Sequence, residues 1–175
     1  MLPNAMPPNF LTPVSKSHAQ LGLLVAVLMA ATVGIALGFQ HIGGYIPCKL
    51  CLEQRTPYYV AAPVMLAGFV FWLVAAPAYL TRACFAIGAL LMAYGLFLGV
   101  YHAGVEWAFW EGPTDCSVTV AAPTATDILS AIDTIKPPSC NEAALRVAGL
   151  SFAGWNVVAS MVLAYFAGKA ALAKA

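Results

Sequence analysis

Long apolar stretches separated by polar connections dominate the pattern of this chain. Four of these stretches contain no Asp, Glu, Lys or Arg. A helix rises about 1.5 Å per residue, so about 20 apolar residues cross a hydrocarbon core of about 30 Å. Backbone groups in hydrocarbon need partners within their own segment, which favours helices. The predicted spans are residues 20–39, 56–75, 83–101 and 148–168.

Composition supports an all-α membrane protein, a bundle of four transmembrane helices. The chain of 175 residues is 62% hydrophobic and 9% charged, whereas an average soluble domain has about 25% charged residues. A soluble domain of this size leaves much of its surface exposed to water and cannot hide so much apolar surface. The lipid bilayer is therefore the expected solvent. The formal net charge of +1 gives no indication of a nucleic-acid partner.

The four spans divide the chain into a tail, a membrane domain and a second tail. Residues 1–19 and 169–175 are predicted to be cytoplasmic tails, and residues 20–168 to form the transmembrane domain with loops 40–55 and 102–147 on the opposite side. Lys and Arg divide evenly between the two sides, but the terminal flanks are shorter, which favours cytoplasmic termini. A signal peptide is the alternative for the first span, which is longer than a typical apolar signal region and follows a long leading segment.

The second loop contains one helical pattern. Thr124 and Asp127 fit a capping box, and apolar residues follow at helical spacing until Pro137 and Pro138. This pattern predicts a short amphipathic helix in the second loop. It lies either on the membrane surface or against the top of the bundle.

Four of the five cysteines fall in the two loops on the same side. Cys48 and Cys51 form a Cys-x-x-Cys pair, a spacing in which one thiol often has a lowered pKa. Cys116 and Cys140 form a second pair, which suits an oxidising compartment. Each pair is open to two interpretations, a structural disulfide or a redox pair that exchanges with the other. No metal site is predicted, because the spacing does not fit two zinc-binding pairs.

Three polar residues flank the predicted spans near the cysteines. Arg55 follows Cys51 by four residues, so it is either an interfacial anchor or a cation that stabilises the Cys51 thiolate and a reduced, anionic acceptor. His102 and Glu106 are also four residues apart, just past the predicted third span, and are expected to face Arg55 across the mouth of the bundle. Cys84, inside the third span, is expected to pack as a small hydrophobe.

The motifs resemble one known family. The run from Cys48 to Arg55, Cys-Lys-Leu-Cys-Leu-Glu-Gln-Arg, fits the Cys-x-Leu-Cys-x-x-x-Arg signature of the disulfide bond formation protein B (DsbB) family. The second cysteine pair, with Gly112 and Pro113 before it, and the segment 149–156 also resemble that family. The resemblance covers roughly residues 20–168.

The resemblance implies a thiol oxidase of the bacterial inner membrane. Such proteins reoxidise a periplasmic DsbA-like oxidase of the thioredoxin fold and pass two electrons to a membrane quinone, ubiquinone or menaquinone. Carried onto this chain, the reduced partner attacks Cys116 of a Cys116–Cys140 disulfide, and the freed Cys140 attacks Cys48. Cys51 then engages the quinone beside Arg55. His102 matches a histidine near the quinone within a one-residue shift, and Glu106 stands where relatives commonly carry glutamine.

Three alternatives come from other classes. A vitamin K epoxide reductase-like protein has similar chemistry but places its Cys-x-x-Cys after its loop cysteines. A non-catalytic membrane scaffold would use the cysteines as structural disulfides. A haem-binding protein needs histidines within the spans, and the chain has only His18, His41 and His102, all outside them.

Overall fold

Five α-helices and one β-hairpin make up the described part of the chain, residues 11–113 and 139–172 of a computed structural model. Four helices are long and apolar enough to cross a membrane, and the expectation of a four-span all-α bundle is confirmed. The predicted amphipathic helix of the second loop and Cys116 lie outside the described residues. The helices are α1 (Lys16–His41), α2 (Lys49–Glu53), α3 (Thr56–Leu73), α4 (Ala78–Glu106) and α5 (Phe152–Leu172).

Helix α4 is longer at both ends than the third predicted span. It begins directly after Pro77, whose extended backbone (ψ 131°) serves as the N-cap. It continues to Glu106, and the Trp107 N–H donates to the carbonyl oxygen of Ala103 at the end. The expectation that His102 and Glu106 follow the third helix is therefore wrong. Both belong to its last turns, where their side chains are buried.

Helix α5 begins at Phe152, later than the predicted residue 148, because a hairpin precedes it. Strand β1 (Arg146–Val147) pairs antiparallel with β2 (Leu150–Ser151). The two turn residues, Ala148 and Gly149, both have positive φ angles (50° and 84°), as a two-residue hairpin turn with the right twist requires. The hairpin fixes how the second loop enters the bundle.

The long helices are neighbours in the order α1, α3, α4, α5, and α5 returns to α1. Buried Met29, Met65, Phe85 and Met92 fill the interior between them. The Phe85 ring of α4 lies so close to Gly22 of α1 that a Cβ atom there would overlap it. Small residues at such crossings allow close approach of the helices, as in membrane bundles generally.

The outer faces of the helices are apolar as well. Large exposed side chains on these faces include Ile35, Leu90, Phe97 and Leu172, each more than 60% exposed. Water would not favour such a surface, whereas lipid does. The exposed Trp107 and the neighbouring aromatic residues after α4 fit the aromatic belt at a membrane interface.

Arg82 of α4 holds the two described chain ends together at the end of the bundle away from Cys48. Its guanidinium is buried and donates to backbone carbonyls, through Nη1 to Ala171 (2.8 Å) and through Nε to Thr12 (3.2 Å). Nη2 also donates to the Thr12 hydroxyl at 3.1 Å. Arg82 is one of the basic residues that indicate the topology of the chain. It also connects α4 to α5 and to the N-terminal segment.

Candidate redox site

Cys48 and Cys51 lie at the two sides of the first turn of α2. Cys48 is the N-cap, and its sulfur accepts a hydrogen bond from the backbone N–H of Cys51 at 3.3 Å. The two Sγ atoms are 2.8 Å apart, and both residues are free thiols in this structure. Cys48 is buried and Cys51 is partly exposed. The spacing therefore places both sulfurs within reach of a shared disulfide, with different surroundings.

Cys140 brings the second loop to the same place. It is 1% exposed and disulfide-bonded. Its sulfur, the Cys48 sulfur and a ring nitrogen of His102 all lie within 4.8 Å of one another. Leu50 and Val105 pack around these sulfurs. The structure thus places Cys140 beside Cys48, and exchange between the two loops needs only a small movement of the sulfur atoms.

Cys48, His102 and Cys140 are residue types that bind metals, but one of the two sulfurs is not available as a ligand. Zinc binds cysteine as a thiolate and histidine through an unprotonated nitrogen. The Cys140 sulfur is in a disulfide. The cluster of Cys48, His102 and Cys140 is thus arranged for thiol–disulfide exchange in the state that the structure describes.

His102 is buried next to Cys48 and belongs to a network of polar side chains. Its Nε2 atom lies 3.7 Å from the Cys48 sulfur, and its Nδ1 atom lies 2.6 Å from the Nε2 atom of Gln54. Gln54 in turn accepts a hydrogen bond from the Nδ2 group of Asn156 at 2.6 Å. The Asn156 oxygen accepts from the hydroxyls of Tyr58 (2.7 Å) and Ser160 (3.3 Å). The network crosses the bundle from α4 to α5.

Glu106 is the second buried polar group next to His102. Its Oε1 atom lies 3.9 Å from the His102 Nε2 atom, and its side chain is 4% exposed. Its Oε2 atom is buried and has no hydrogen-bond partner among the described residues. The resemblance and the helical spacing place Glu106 near His102, and the structure agrees with that placement while leaving one carboxyl oxygen unsatisfied.

The electrostatic environment favours the thiolate of Cys48. The hydrogen bond with the Cys51 thiol lowers the pKa of Cys48 most, and this effect outweighs desolvation, which acts in the opposite direction. The hydrogen bond with His102 lowers the pKa further. The lowered pKa favours the thiolate of Cys48 at neutral pH, and the thiolate is the form of cysteine that exchanges with disulfides.

A cavity of about 400 Å³ opens on the other side of the cysteine pair. Its walls come from α1, α3 and α5 and are mostly apolar. The side chains with polar groups that line it include Gln40, Cys51, Gln54, Arg55, Tyr58 and Asn156. A mostly apolar cleft of this size with a few convergent polar groups is typical of a small-molecule site.

Arg55 is held in the wall of this cavity by α1. Its Nη1 atom donates to the Oε1 atom of Gln40 at 2.5 Å, and Nη2 lies 3.5 Å from the carbonyl oxygen of Ala36. Among the described residues Arg55 forms no hydrogen bond with His102 or Glu106, which the helical spacing suggests could face it across the mouth of the bundle. His102 and Glu106 are absent from the described cavity lining, which contains Cys51 and Arg55.

Sequence reasoning missed Gln54 and Asn156. Gln54 lies inside the run from Cys48 to Arg55 but has no function in the expected chemistry. Asn156 is a polar residue inside an apolar span, and such residues usually face a bundle interior or a site. That signal was available in the sequence, whereas the partner of each amide depends on how α3, α4 and α5 pack.

The arrangement defines a class of protein: a four-helix membrane protein whose loop cysteines lie together beside an apolar cavity. The model of the family described as "Disulfide bond formation protein DsbB" matches residues 18–170, so the chain belongs to the DsbB family. It is therefore a disulfide-generating oxidoreductase and a multi-pass protein of the bacterial inner membrane.

Curated relatives agree with this family. The chain is 30% identical to the disulfide bond formation protein B of Chromohalobacter salexigens over 151 residues, 82% of each chain. It is 36% identical to the protein of that name in Ralstonia nicotianae over 84 residues, 47% of this chain and 48% of that protein. An uncharacterized protein of Rickettsia prowazekii is 22% identical over 149 residues, 83% of this chain and 81% of that protein. No solved structure matches the chain.

Proposed function

We propose that this protein is a thiol:quinone oxidoreductase that reoxidises a periplasmic DsbA-like dithiol oxidase and passes two electrons to ubiquinone or menaquinone. The observation that carries the proposal is the position of the Cys48–Cys51 pair. One sulfur of the pair lies beside Cys140, and the other lines the apolar cavity. A pair placed in this way can accept electrons from the thiolate of the second loop on one side and deliver them to an acceptor on the other.

The first half of the reaction is disulfide exchange between the loops. A thiolate of the partner attacks Cys116, forms a mixed disulfide and releases Cys140 as a thiolate. Cys140 attacks Cys48 of an oxidised Cys48–Cys51 pair, so a Cys140–Cys48 bond forms and Cys51 leaves as a thiolate. The partner's second thiolate then attacks its own cysteine in the mixed disulfide, which oxidises the partner and frees Cys116 as a thiolate. Cys116 attacks Cys140 and releases Cys48 as a thiolate, so the loop disulfide forms again and the Cys48–Cys51 pair is reduced.

The cavity fits a quinone ring. Its apolar walls suit a lipid-soluble ring, its polar side chains suit the carbonyl oxygens, and Cys51 lies in its lining. A bound quinone supplies the two-electron acceptor. The guanidinium of Arg55, fixed by Gln40, stabilises negative charge near Cys51, and the apolar walls exclude water from the thiolate. His102 and Glu106 act on Cys48 in this proposal, since they lie on its side of the pair.

The proposed reaction also assigns each loop and tail to one side of the membrane. Loops 40–55 and 102–147 are assigned to the periplasm, where a soluble oxidase reaches Cys116 and Cys140. Residues 1–19 and 169–175 are assigned to the cytoplasm, and residues 20–168 to the transmembrane domain. A thiol-specific reagent that does not cross membranes tests this assignment in spheroplasts. Labelling of the loop cysteines only after permeabilisation would reverse it.

A quinone reduction assay tests the activity. Purified protein receives a reduced thioredoxin-fold dithiol partner and a soluble ubiquinone, and the quinone absorbance is followed. Cys51→Ser is expected to abolish the rate, because no thiolate then faces the cavity. Cys84→Ser, the same substitution in α4 away from the site, is expected to keep it. An intact rate in Cys51→Ser would rule out the mechanism, and no reduction by the wild type would favour a scaffold.

A further inference from the structure

A continuous line of hydrogen bonds connects the cavity wall to the reactive thiol. Asn156 Nδ2 donates to Gln54 Oε1 at 2.6 Å, the other end of the Gln54 amide contacts His102 Nδ1 at 2.6 Å, and His102 Nε2 lies 3.7 Å from the Cys48 sulfur. Asn156 and Gln54 line the cavity, whereas Cys48 lies outside its lining. The line therefore joins the cavity wall to Cys48 by a route that does not pass through Cys51.

Two backbone carbonyls determine which way both amides point. The Gln54 NH₂ group that contacts His102 also donates to the carbonyl oxygen of Leu50 at 3.3 Å. The Asn156 NH₂ group that contacts Gln54 also donates to the carbonyl oxygen of Gly95 at 3.4 Å. A carbonyl oxygen only accepts, so reversing either amide would place two acceptors against each other. The direction of the line is thus fixed from α5 towards α4.

The direction of the amides decides where the histidine carries its proton. Because the Gln54 NH₂ group donates to Nδ1, that nitrogen is an acceptor and bears no hydrogen. The single proton of the neutral ring then lies on Nε2, the nitrogen that faces Cys48. We propose that Gln54 is a positioning residue that holds His102 in the neutral Nε2–H form, so that the ring donates a hydrogen bond to the sulfur of Cys48.

The proposal excludes two other functions for His102 in this state. A ring whose Nε2 already carries hydrogen does not remove the proton of the Cys48 thiol. It also does not ligate a metal through that nitrogen. Among the described residues, the titratable groups in contact with Cys48 or His102 are Cys51 of α2 and Glu106 of α4, and Cys140 of the second loop joins them in the fully reduced protein.

Two substitutions of Gln54 are expected to act in opposite directions on Cys48. Gln54→Leu removes the donor to Nδ1, so the ring no longer favours the Nε2–H form, and the Cys48 pKa rises. Gln54→Glu supplies an acceptor for Nδ1, so the ring becomes doubly protonated, and the Cys48 pKa falls below that of the wild type. Loss of packing alone would not give opposite signs. Asn156→Ala is expected to follow Gln54→Leu with a smaller change.

Alkylation kinetics measure this effect without a quinone or a partner protein. Fully reduced protein is treated with iodoacetamide over a range of pH, and the modification of Cys48 is resolved by mass spectrometry. Below the pKa of the variant, Gln54→Leu is expected to react about tenfold more slowly than the wild type. Gln20→Leu, the same substitution on the exposed face of α1, is expected to leave the profile unchanged.

Nitrogen NMR of the imidazole ring measures the tautomer directly. The chain has three histidines, so replacing His18 and His41 leaves His102 as the single signal. The wild-type ring is expected to show the Nε2–H form, and Gln54→Glu the doubly protonated ring. An Nδ1–H ring in the wild type would overturn the proposal. So would an unchanged Cys48 profile in Gln54→Leu, or equal signs for the two Gln54 variants. None of these results depends on quinone reduction. The quinone reduction assay therefore tests the proposed function independently.

Discussion

The Nε2 atom of His102 lies 3.7 Å from the Sγ atom of Cys48, although 54 residues separate them in the chain. This contact joins the last turns of α4 to the N-cap of α2. It gives the buried thiol a hydrogen-bond donor that does not come from its own helix. The reactivity of Cys48 is therefore set partly by the packing of α4.

Removing this donor is expected to make the enzyme more dependent on pH. In His102→Asn the pKa of Cys48 rises above its wild-type value of about 5, so the thiolate forms only at higher pH. The rate of disulfide exchange with a dithiol partner is expected to fall about tenfold below about pH 5 and to recover as the pH passes the raised pKa. A pH–rate profile measures this. His41→Asn, at an exposed position, is the control, and a uniform fall at all pH values in His102→Asn would contradict the prediction.

Arg55 is expected to affect the acceptor rather than the loop cysteines. Arg55→Met removes the cation from the cavity wall and leaves Gln40 without its donor. The KM for quinone is expected to rise about 10- to 100-fold, as for loss of a charged hydrogen bond. Steady-state kinetics with varied quinone give the KM. Arg146→Met on the exposed β1 strand is the matched control. A change in the partner's KM with an unchanged quinone KM would argue against this assignment.

The proximity of Cys140 and Cys48 predicts a specific cross-link. In Cys116→Ser, Cys140 lacks the loop cysteine that the family resemblance pairs with it. Its thiolate is expected to attack the Cys48–Cys51 disulfide and accumulate as a Cys48–Cys140 bond, since the atoms lie within 4.8 Å. Peptide mapping without reduction identifies the bond. Cross-linking of Cys140 to Cys51, or to Cys84 of α4, would show that the described geometry is not the reacting one.

Arg82→Met is expected to weaken the fold without changing the thiol chemistry. The substitution leaves the carbonyl oxygens of Thr12 and Ala171 without this donor. The expected loss of unfolding free energy is about 1–3 kcal/mol, and proteolysis near the N-terminal segment is expected to accelerate. Thermal denaturation and limited proteolysis measure these effects. An unchanged stability would contradict them, as would a shifted Cys48 alkylation profile.

The spans and the cysteine pair of the first loop were accessible from sequence because they depend on local features. Charge-free stretches predict spanning helices, and the Cys48–Cys51 spacing predicts that the two sulfurs lie close together. Helix ends were less accessible. α4 extends to Glu106 because His102 and Glu106 are buried against other elements, which residue order does not reveal.

The cavity and the polar network depend on long-range packing. Gln54 and Asn156 are 102 residues apart in the chain. Their hydrogen bond can be recognised only when α3 and α5 are placed side by side. In the same way, the separation of Arg55 from His102 follows from the contact with Gln40 of α1. Sequence reasoning grouped these polar residues at one mouth, whereas the structure divides them between the two sides of one cysteine pair.

The contacts of Arg82 have a topological consequence. One guanidinium bonds to Thr12 and to Ala171, so the described polypeptide returns almost to its starting point after four crossings of the bundle. The backbone is close to a closed ring, and a short peptide linker is sufficient to join its two ends. New termini could then be opened between α3 and α4 without separating the cysteine loops from the helices that position them.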